Sequence, residues 1–215
     1  MNPASPGYGK SLNNSTRQGS KGQKALGVTG TPGTGKKSVS SILASLLEKE
    51  LLQINALAIP YSVLNKEGEL VVNVKTLGSE LRRRGLSGTV ISGHLLADVL
   101  DRAELDFVAV LRCDPIVLKR RLTSRGYSHE KVIENIEAEL IGVVLDTAVR
   151  KFGASKVHEY DTSRAKPASI ANKIAHDHRE GLSQAEPWRD WILDYDSSTR
   201  LRSLLSRPKT EPAST

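Results

Sequence analysis

Nine consecutive residues combine glycine, lysine and a hydroxyl group in a spacing that suits phosphate binding. Residues 30–38 read GTPGTGKKS, follow the apolar stretch 25–29 and lead into a helical pattern. Gly33 and Gly35 let the backbone bend round an anion, which then faces successive N–H groups and the partial positive charge of a helix N-terminus. Lys36 is placed to reach the β- and γ-phosphates. The pattern predicts a nucleoside triphosphate as ligand.

One position of this loop departs from the usual pattern. A Ser or Thr commonly follows the lysine directly and binds Mg²⁺, whereas Lys37 stands there in this chain and the hydroxyl comes at Ser38. Nucleoside monophosphate kinases often shift this hydroxyl by one residue. We therefore predict Ser38 as the residue that faces the metal, with ATP and Mg²⁺ as cofactors.

A second group of charged side chains precedes a glycine turn. Residues 120–127 read RRLTSRGY and contain three arginines. Guanidinium groups on a hinged lid can neutralise charge on a transferring phosphoryl group, and Arg125, nearest the turn, is the candidate for that role. From this segment alone, a solvated basic helix end favoured by the helix dipole is the alternative.

The elements that would position these groups alternate between strand and helix patterns. Apolar residues at three- and four-residue spacing from 39 to 47 predict a helix after the loop. Short apolar runs at 89–92 and 107–111, and a weaker one at 156–160, suit buried parallel strands. With the glycine loop, such repeated units predict an α/β fold of the P-loop NTPase type, a doubly wound parallel sheet of about five strands flanked by helices.

Two helix starts can be placed from capping residues. Asp114 followed by Pro115 predicts a helix that continues through Leu122. Ser128 can cap a longer helix, which the apolar pattern extends through Val149.

Composition sets further limits on the protein. The chain has 215 residues, a formal net charge of +7 and one cysteine, Cys113. The charge fits either a polyanionic partner such as RNA or phosphate-bearing substrates. The lone cysteine excludes an internal disulfide and a cysteine-rich zinc site. No run approaches the roughly 20 apolar residues of a membrane span, so we expect no membrane partner and a cytoplasmic location, or a nuclear one in a eukaryote.

Three regions differ in composition. Residues 1–23 are rich in Ser, Asn, Gly and Pro without an acidic residue, which predicts a disordered basic tail that is either solvated or in contact with RNA. Residues 24–180 hold the nucleotide-binding domain. Residues 181–215 form a C-terminal extension, in which the apolar cluster at 188–195 predicts a short docked helix before a polar tail.

Short motifs over roughly residues 25–178 resemble the nuclear adenylate kinase isoenzyme six family, and residues 188–195 resemble a segment that follows the core in its archaeal-type members. The motifs lie at 30–38, 93–94, 111–114, 121–122, 125–127, 131, 134–139, 161–163 and 166–167. The resemblance implies a nucleoside monophosphate kinase with a short lid, which transfers the ATP γ-phosphoryl group to AMP or hydrolyses ATP. It also implies a role in small ribosomal subunit (rRNA) maturation, with a small-subunit ribosomal protein and rRNA as partners.

The resemblance assigns roles by position. It implies nucleotide contacts at Gly33, Gly35, Lys36, Lys37 and Ser38, with Arg125 in the lid and Lys166 near the base. His94 falls at the histidine of the family's Asp-x-His motif, where the imidazole helps to position water or the reacting phosphate. Lys36, Arg125 and His94 are therefore the candidate catalytic residues, although a histidine at a strand end also has a purely structural interpretation.

Two departures from the family pattern weaken the kinase interpretation. Ser92 stands where the family has Asp and cannot supply the charge that anchors Mg²⁺, for which Asp98 and Asp114 are the candidate substitutes. Residues 55–61 lack the Asp and Arg that the family places after the Asn, and the arginine run 82–84 either replaces them or is a solvated helix end. The alternatives are an ATP-switched ribosome-assembly factor with little kinase turnover and a metabolite kinase of the shikimate type.

Overall fold

The computed structural model describes residues 24–65, 70–182, 188–195 and 204–206. The predicted N-terminal tail at 1–23 and most of the predicted polar tail lie outside these ranges. No helix in the described ranges is long and apolar enough to cross a membrane.

A parallel sheet forms the centre of the molecule and confirms the predicted α/β fold. Seven strands lie in the described part of the chain: β1 (Ala25–Gly30), β2 (Leu51–Gln53), β3 (Ser62–Leu64), β4 (Leu70–Val72), β5 (Val90–Ser92), β6 (Leu105–Arg112) and β7 (Val157–Asp161). Five of them pair in the order β2-β5-β1-β6-β7, and every pair is parallel. The remaining two, β3 and β4, form a separate antiparallel hairpin.

Helices cover both faces of this sheet. They are α1 (Lys36–Leu46), α2 (Ile54–Ala58), α3 (Val74–Arg84), α4 (Leu96–Val99), α5 (Pro115–Thr123), α6 (His129–Leu140), α7 (Val143–Phe152), α8 (Pro167–Glu180) and α9 (Trp191–Asp194). The described ranges also contain two single 3-10 turns, Ile59–Tyr61 and Ala154–Lys156, and a helical pair of residues at 204–205.

The interior strand β6 shows why residues 107–111 are apolar without a break. Val108 and Val110 point into the core that α3, α4 and α7 cover, whereas Phe107, Ala109 and Leu111 point into the core beneath α1 and α8. Because successive side chains of a strand face opposite sides, a strand buried on both faces needs apolar residues at every position.

A third apolar cluster lies beside the sheet and joins α5 and α6 to the C-terminal segment. Its fully buried members include Leu118 and Leu122 of α5 and Ile136 of α6. Trp191 and Tyr195 pack into the same cluster and are 4% and 6% exposed. This cluster attaches the C-terminal segment to the face of the molecule that carries the glycine turn after α5.

Both predicted capping residues act as expected. The Asp114 carboxylate accepts hydrogen bonds from the N–H groups of Ile116 and Val117 at 2.8 and 3.2 Å. The Ser128 hydroxyl accepts one from the N–H of Lys131 at 3.3 Å. These contacts satisfy backbone donors that have no partner within the helix.

The prediction of one helix from residue 128 through Val149 is wrong. The helix α6 ends at Leu140, Gly142 follows with a φ angle of 68°, and a second helix, α7, begins at Val143. The two helices bury their apolar residues in different cores, since Ile136 belongs to the cluster with α5 and Phe152 packs under the sheet. Because α6 and α7 pack against different cores, their axes point in different directions. Gly142 adopts the left-handed backbone conformation that lets the chain turn between them.

Candidate nucleotide-binding site

The loop between β1 and α1 needs glycine at particular positions. Gly30, Gly33 and Gly35 have φ angles of 144°, 94° and 97°. A Cβ on Gly30 would lie 2.3 Å from the carbonyl oxygen of Leu111, and one on Gly33 would lie 2.6 Å from Leu118 Cδ1. The backbone therefore leaves no room for a side chain at Gly30, and at Gly33 the positive φ angle and the close leucine side chain together disfavour one. The loop wraps the N-terminal end of α1, whose N–H groups are suited to bind an anion.

Lys36 lies against this loop. Its Nζ donates hydrogen bonds to the carbonyl oxygens of Gly30 and Thr31 at 2.6 and 2.9 Å. Burial lowers the pKa of the amine to about 8, against the opposing effect of the Glu139 carboxylate and with a further decrease from Arg125. Most molecules still carry the ammonium at neutral pH, so this position offers a desolvated positive charge to a phosphate.

A cavity of about 270 Å³ brings most of the predicted residues together. Its wall consists of Pro32, Gly33, Gly35, Lys36, Lys37, Ser38, Asn55, His94, Arg125 and Tyr127. These residues come from the glycine loop and α1, the start of α2, the turn after β5 and the turn after α5. Every predicted site residue except Lys166 lies in this wall.

His94 reaches the cavity through the turn that follows β5. Ser92, 6% exposed, ends the strand, and the N–H of Gly93 donates to the carbonyl oxygen of Val28 at 3.1 Å. Burial and the charge of Lys36 both lower the pKa of His94, although Asp98 opposes them. The imidazole is therefore neutral at neutral pH, with one nitrogen able to donate and the other able to accept a hydrogen bond.

Lys166 lies outside the cavity wall. It is exposed at the N-cap position of α8, on the loop that follows β7. This loop is fixed to the glycine loop, because the Thr162 hydroxyl donates to the carbonyl oxygen of Thr34 at 2.8 Å. Its contact with the base stays a prediction.

Arg121 does not line the cavity, although it belongs to the same arginine cluster as Arg125. Its Nη2 donates to the Thr162 carbonyl oxygen at 2.7 Å and its Nη1 to the Thr162 hydroxyl at 3.3 Å. Arg121 therefore stabilises the loop after β7, whereas Arg125, in the turn that follows α5, lines the cavity. The sequence carries no signal for this contact, since residues 121 and 162 lie far apart along the chain.

The arginine run 82–84 does not take part in the cavity wall. Arg82 Nε donates to Glu104 Oε1 at 2.6 Å, and the guanidinium groups of Arg83 and Arg84 each donate to Glu80 at 2.8 Å. These arginines end α3 and have their partners among nearby carboxylates. Of the two interpretations of this run, the structure favours the solvated helix end.

The residues of the cavity fit a metal ion that arrives with a triphosphate better than one that the protein holds alone. The described part of the chain contains no group of three or more His, Cys, Asp or Glu side chains that could hold a metal ion. Among the residues that the structure describes, none in the wall is a carboxylate, and Asp114 is occupied with its helix cap and the hydroxyl of Tyr195 at 2.9 Å. The Ser38 hydroxyl fits one ligand position of Mg²⁺ whose other ligands are phosphate oxygens and water.

Comparisons with known proteins give consistent results. A family model described as an AAA domain matches residues 26–142. A protein of Thermococcus gammatolerans named "Putative adenylate kinase" is 37% identical over 174 residues, which cover 80% of this chain and 94% of that protein. A protein of the same name from Methanococcus maripaludis is 36% identical over 158 residues, 69% of this chain and 85% of its own.

The solved structures show a similar fold. Shikimate kinase from Acinetobacter baumannii, in complex with shikimate, superposes with a TM-score of 0.51 over 74% of this chain and 94% of its own, at 19% identity. At this identity the similarity concerns the fold alone.

Proposed function

We infer that this chain, which belongs to the AAA domain family and to the family of the archaeal proteins named "Putative adenylate kinase", is a nucleoside monophosphate kinase that transfers the ATP γ-phosphoryl group to AMP. The observation that carries the proposal is the single cavity in which the glycine loop, Arg125, His94 and Asn55 meet. Such a cavity has a donor side at the loop and an acceptor side at the start of α2.

On the donor side, the N–H groups of the loop and the Lys36 ammonium bind the β- and γ-phosphates of ATP. An oxygen of the AMP phosphate attacks the γ-phosphorus while the bond to the β,γ-bridging oxygen breaks, so that two molecules of ADP form. Charge that spreads over the transferring group is balanced by Lys36 and by Arg125 from the lid turn. Mg²⁺, when bound on the triphosphate next to Ser38, supplies further charge neutralisation.

His94 is placed to orient the attacking group. Its neutral imidazole can hydrogen-bond an acceptor phosphate or a water molecule at the cavity wall. When water takes the place of AMP, the same transfer is ATP hydrolysis. The enzyme would therefore combine kinase and ATPase activity.

A second function, ATP-driven ribosome assembly, has its own support. Residues 55–61 on the acceptor side contain no arginine, and the nearest run, 82–84, is paired with Glu80 and Glu104. Ser92 ends β5 at the position where the isoenzyme six family has Asp. The first feature reduces the expected affinity for AMP more than that for ATP, and the second weakens the anchoring of Mg²⁺. With the net charge of +7 and the resemblance to the isoenzyme six family, they fit an ATPase in small ribosomal subunit maturation, with a small-subunit ribosomal protein and rRNA as partners.

Two arginines of one segment test the kinase proposal. Arg125 lines the cavity, whereas Arg120 is exposed at the end of α5 and outside the wall. In an assay with ATP and AMP, Arg125→Ala should lower kcat roughly 100-fold, as expected when one donor to a developing charge is lost. Arg120→Ala should stay within about twofold of the unsubstituted protein if only the arginine in the wall acts on the phosphoryl group. Equal losses in both variants would contradict the assignment of Arg125.

A further inference from the structure

The carboxylate of Glu139 is buried at the centre of a network that the catalytic proposal does not use. Glu139 lies on α6 and is 1% exposed. Its Oε2 accepts a hydrogen bond from the hydroxyl of Thr31 at 2.5 Å. Its Oε1 accepts from Arg112 Nε at 2.7 Å, from the N–H of Cys113 at 2.9 Å and from the indole N–H of Trp191 at 3.2 Å.

These four donors belong to three separate parts of the fold. Thr31 is in the glycine loop, Arg112 and Cys113 stand at the end of β6, and Trp191 begins the short C-terminal helix α9. A buried carboxylate is stable only with a counter-ion and with hydrogen bonds to its remaining lone pairs. Arg112, itself 2% exposed, provides the counter-ion and also donates to the Glu139 carbonyl oxygen at 2.7 Å.

The bond to Thr31 reaches the nucleotide site directly. The carbonyl oxygen of Thr31 accepts a hydrogen bond from Lys36 Nζ, and a second one from the Thr34 hydroxyl at 2.9 Å. Thr31 is thus bound to Glu139 through its side chain and to Lys36 through its backbone carbonyl oxygen. Moving the Thr31 side chain would move the loop that holds Lys36.

Trp191 protects this network from water. Its ring is 4% exposed, and the guanidinium carbon of Arg112 lies 5.9 Å from the ring centroid. The surrounding segment is fixed by the N–H of Arg189, which donates to Glu159 Oε2 at 2.8 Å, and by the hydroxyl of Tyr195 on Asp114. A carboxylate that water reaches makes a weaker bond to a hydroxyl than one in a dry, low-dielectric site.

We propose that Glu139 is a positioning residue that couples the docking of residues 188–195 to the conformation of the glycine loop, so that the docked segment strengthens ATP binding. The inference rests on ATP binding at the loop, which is part of the proposed function, but not on transfer to AMP. Residues 188–195 would thus act on ATP binding without forming part of the cavity wall.

A double-mutant cycle on ATP affinity tests this coupling. Thr31→Val removes the hydroxyl and keeps the shape, and it should weaken ATP binding by the full chain roughly tenfold in calorimetry, as the loss of one charge-assisted hydrogen bond allows. Trp191→Phe keeps an aromatic ring and removes the N–H, and it should weaken binding about threefold. The double variant should bind about as weakly as Thr31→Val alone, because both changes act through Glu139.

Three controls separate positioning from loss of fold. Thr31→Ser keeps the hydroxyl and should restore affinity to within about twofold of the unsubstituted protein. Glu134→Gln, an exposed acid on the same helix that pairs with Lys131 at 2.8 Å, should leave ATP affinity unchanged. Thermal unfolding of each variant gives its stability, and a purely structural role would lower stability without changing the affinity of the folded protein.

The results that overturn the inference are distinct from those that overturn the kinase proposal. Single effects that multiply to about thirtyfold in the double variant would show that Thr31 and Trp191 act independently. An unchanged affinity in Thr31→Val would remove Glu139 from the binding of ATP. If the variants show the expected coupling in ATP affinity but the protein forms no ADP from AMP, only the proposed phosphoryl transfer to AMP would be contradicted.

Discussion

At the scale of single residues, ATP binding depends most on the Lys36 amine. Burial gives this amine a pKa of about 8, so it is charged below that pH and neutral above it. The charge that attracts phosphate is therefore lost as the pH rises through about 8. His94, whose pKa is lowered, has already lost its proton at neutral pH and does not titrate in this range.

We therefore expect kcat/KM for ATP to fall as the pH is raised from about 7 to about 9.5, approaching a tenfold loss per pH unit beyond the pKa of the free enzyme. Initial rates at varied ATP concentration across this range provide the measurement. Lys37→Arg, a neighbouring substitution that keeps a positive charge in the cavity wall, should retain the same profile. A flat profile up to about pH 9.5 would show that the lysine stays protonated over this range, and it would contradict a pKa lowered to about 8.

Sequence could identify most of the candidate site at this scale because the glycine loop is local. Gly33, Gly35, Lys36 and Ser38 lie within a few residues of one another, so spacing alone reveals them. Thr162 and Glu139 act on the same loop through contacts that span 128 and 108 positions of the chain. No local pattern encodes such contacts, and only the fold brings them together.

At the scale of elements, the break between α6 and α7 predicts whether Gly142→Ala raises or lowers the stability of the protein. Gly142 has a φ angle of 68°, and a Cβ there would meet only the Arg112 guanidinium at an ordinary 3.6 Å. Gly142→Ala should therefore lower the free energy of unfolding by about 1 kcal/mol, because of backbone strain alone. In a continuous helix the same change would be stabilising by a similar amount.

Urea denaturation provides the measurement for this variant. Ile141→Ala serves as its neighbour control, since the side chain is 65% exposed and its loss should change the unfolding free energy by less than about 0.5 kcal/mol. An increase in stability in Gly142→Ala would contradict the separation of the two helices.

Elements were predictable from sequence where their patterns are long. The helix starts at Asp114 and Ser128 and the buried strand β6 follow from caps and an uninterrupted apolar run. By contrast, β2, β3 and β4 have three residues each and, unlike the equally short but fully buried β5, they include partly or fully exposed residues, so no apolar run marks them. The helix break escaped prediction because apolar spacing continues across it, whereas its cause is packing against two different cores.

At the scale of the whole molecule, the order of the strands explains the position of the cavity. β1 lies between β5 and β6, so the connections from the carboxyl ends of the central strands diverge to opposite sides. In open α/β sheets a crevice forms where the connections diverge in this way, and ligands bind there. The glycine loop leaves β1 and the turn with His94 leaves β5 on the same edge of the sheet. Repeated strand and helix patterns predicted this architecture, but they could not give the strand order.

Phosphoryl transfer from ATP to AMP can be tested with an assay that resolves the products. The purified 215-residue protein is incubated with ATP and Mg²⁺, with and without AMP, and ADP, AMP and inorganic phosphate are separated and quantified. Lys36→Ala serves as the control for contaminating activity. We predict that ADP forms in a ratio of two for each ATP consumed when AMP is present, with little phosphate release. Release of phosphate at an equal rate with and without AMP, while AMP stays unchanged, would contradict the kinase account and leave ATP hydrolysis as the reaction.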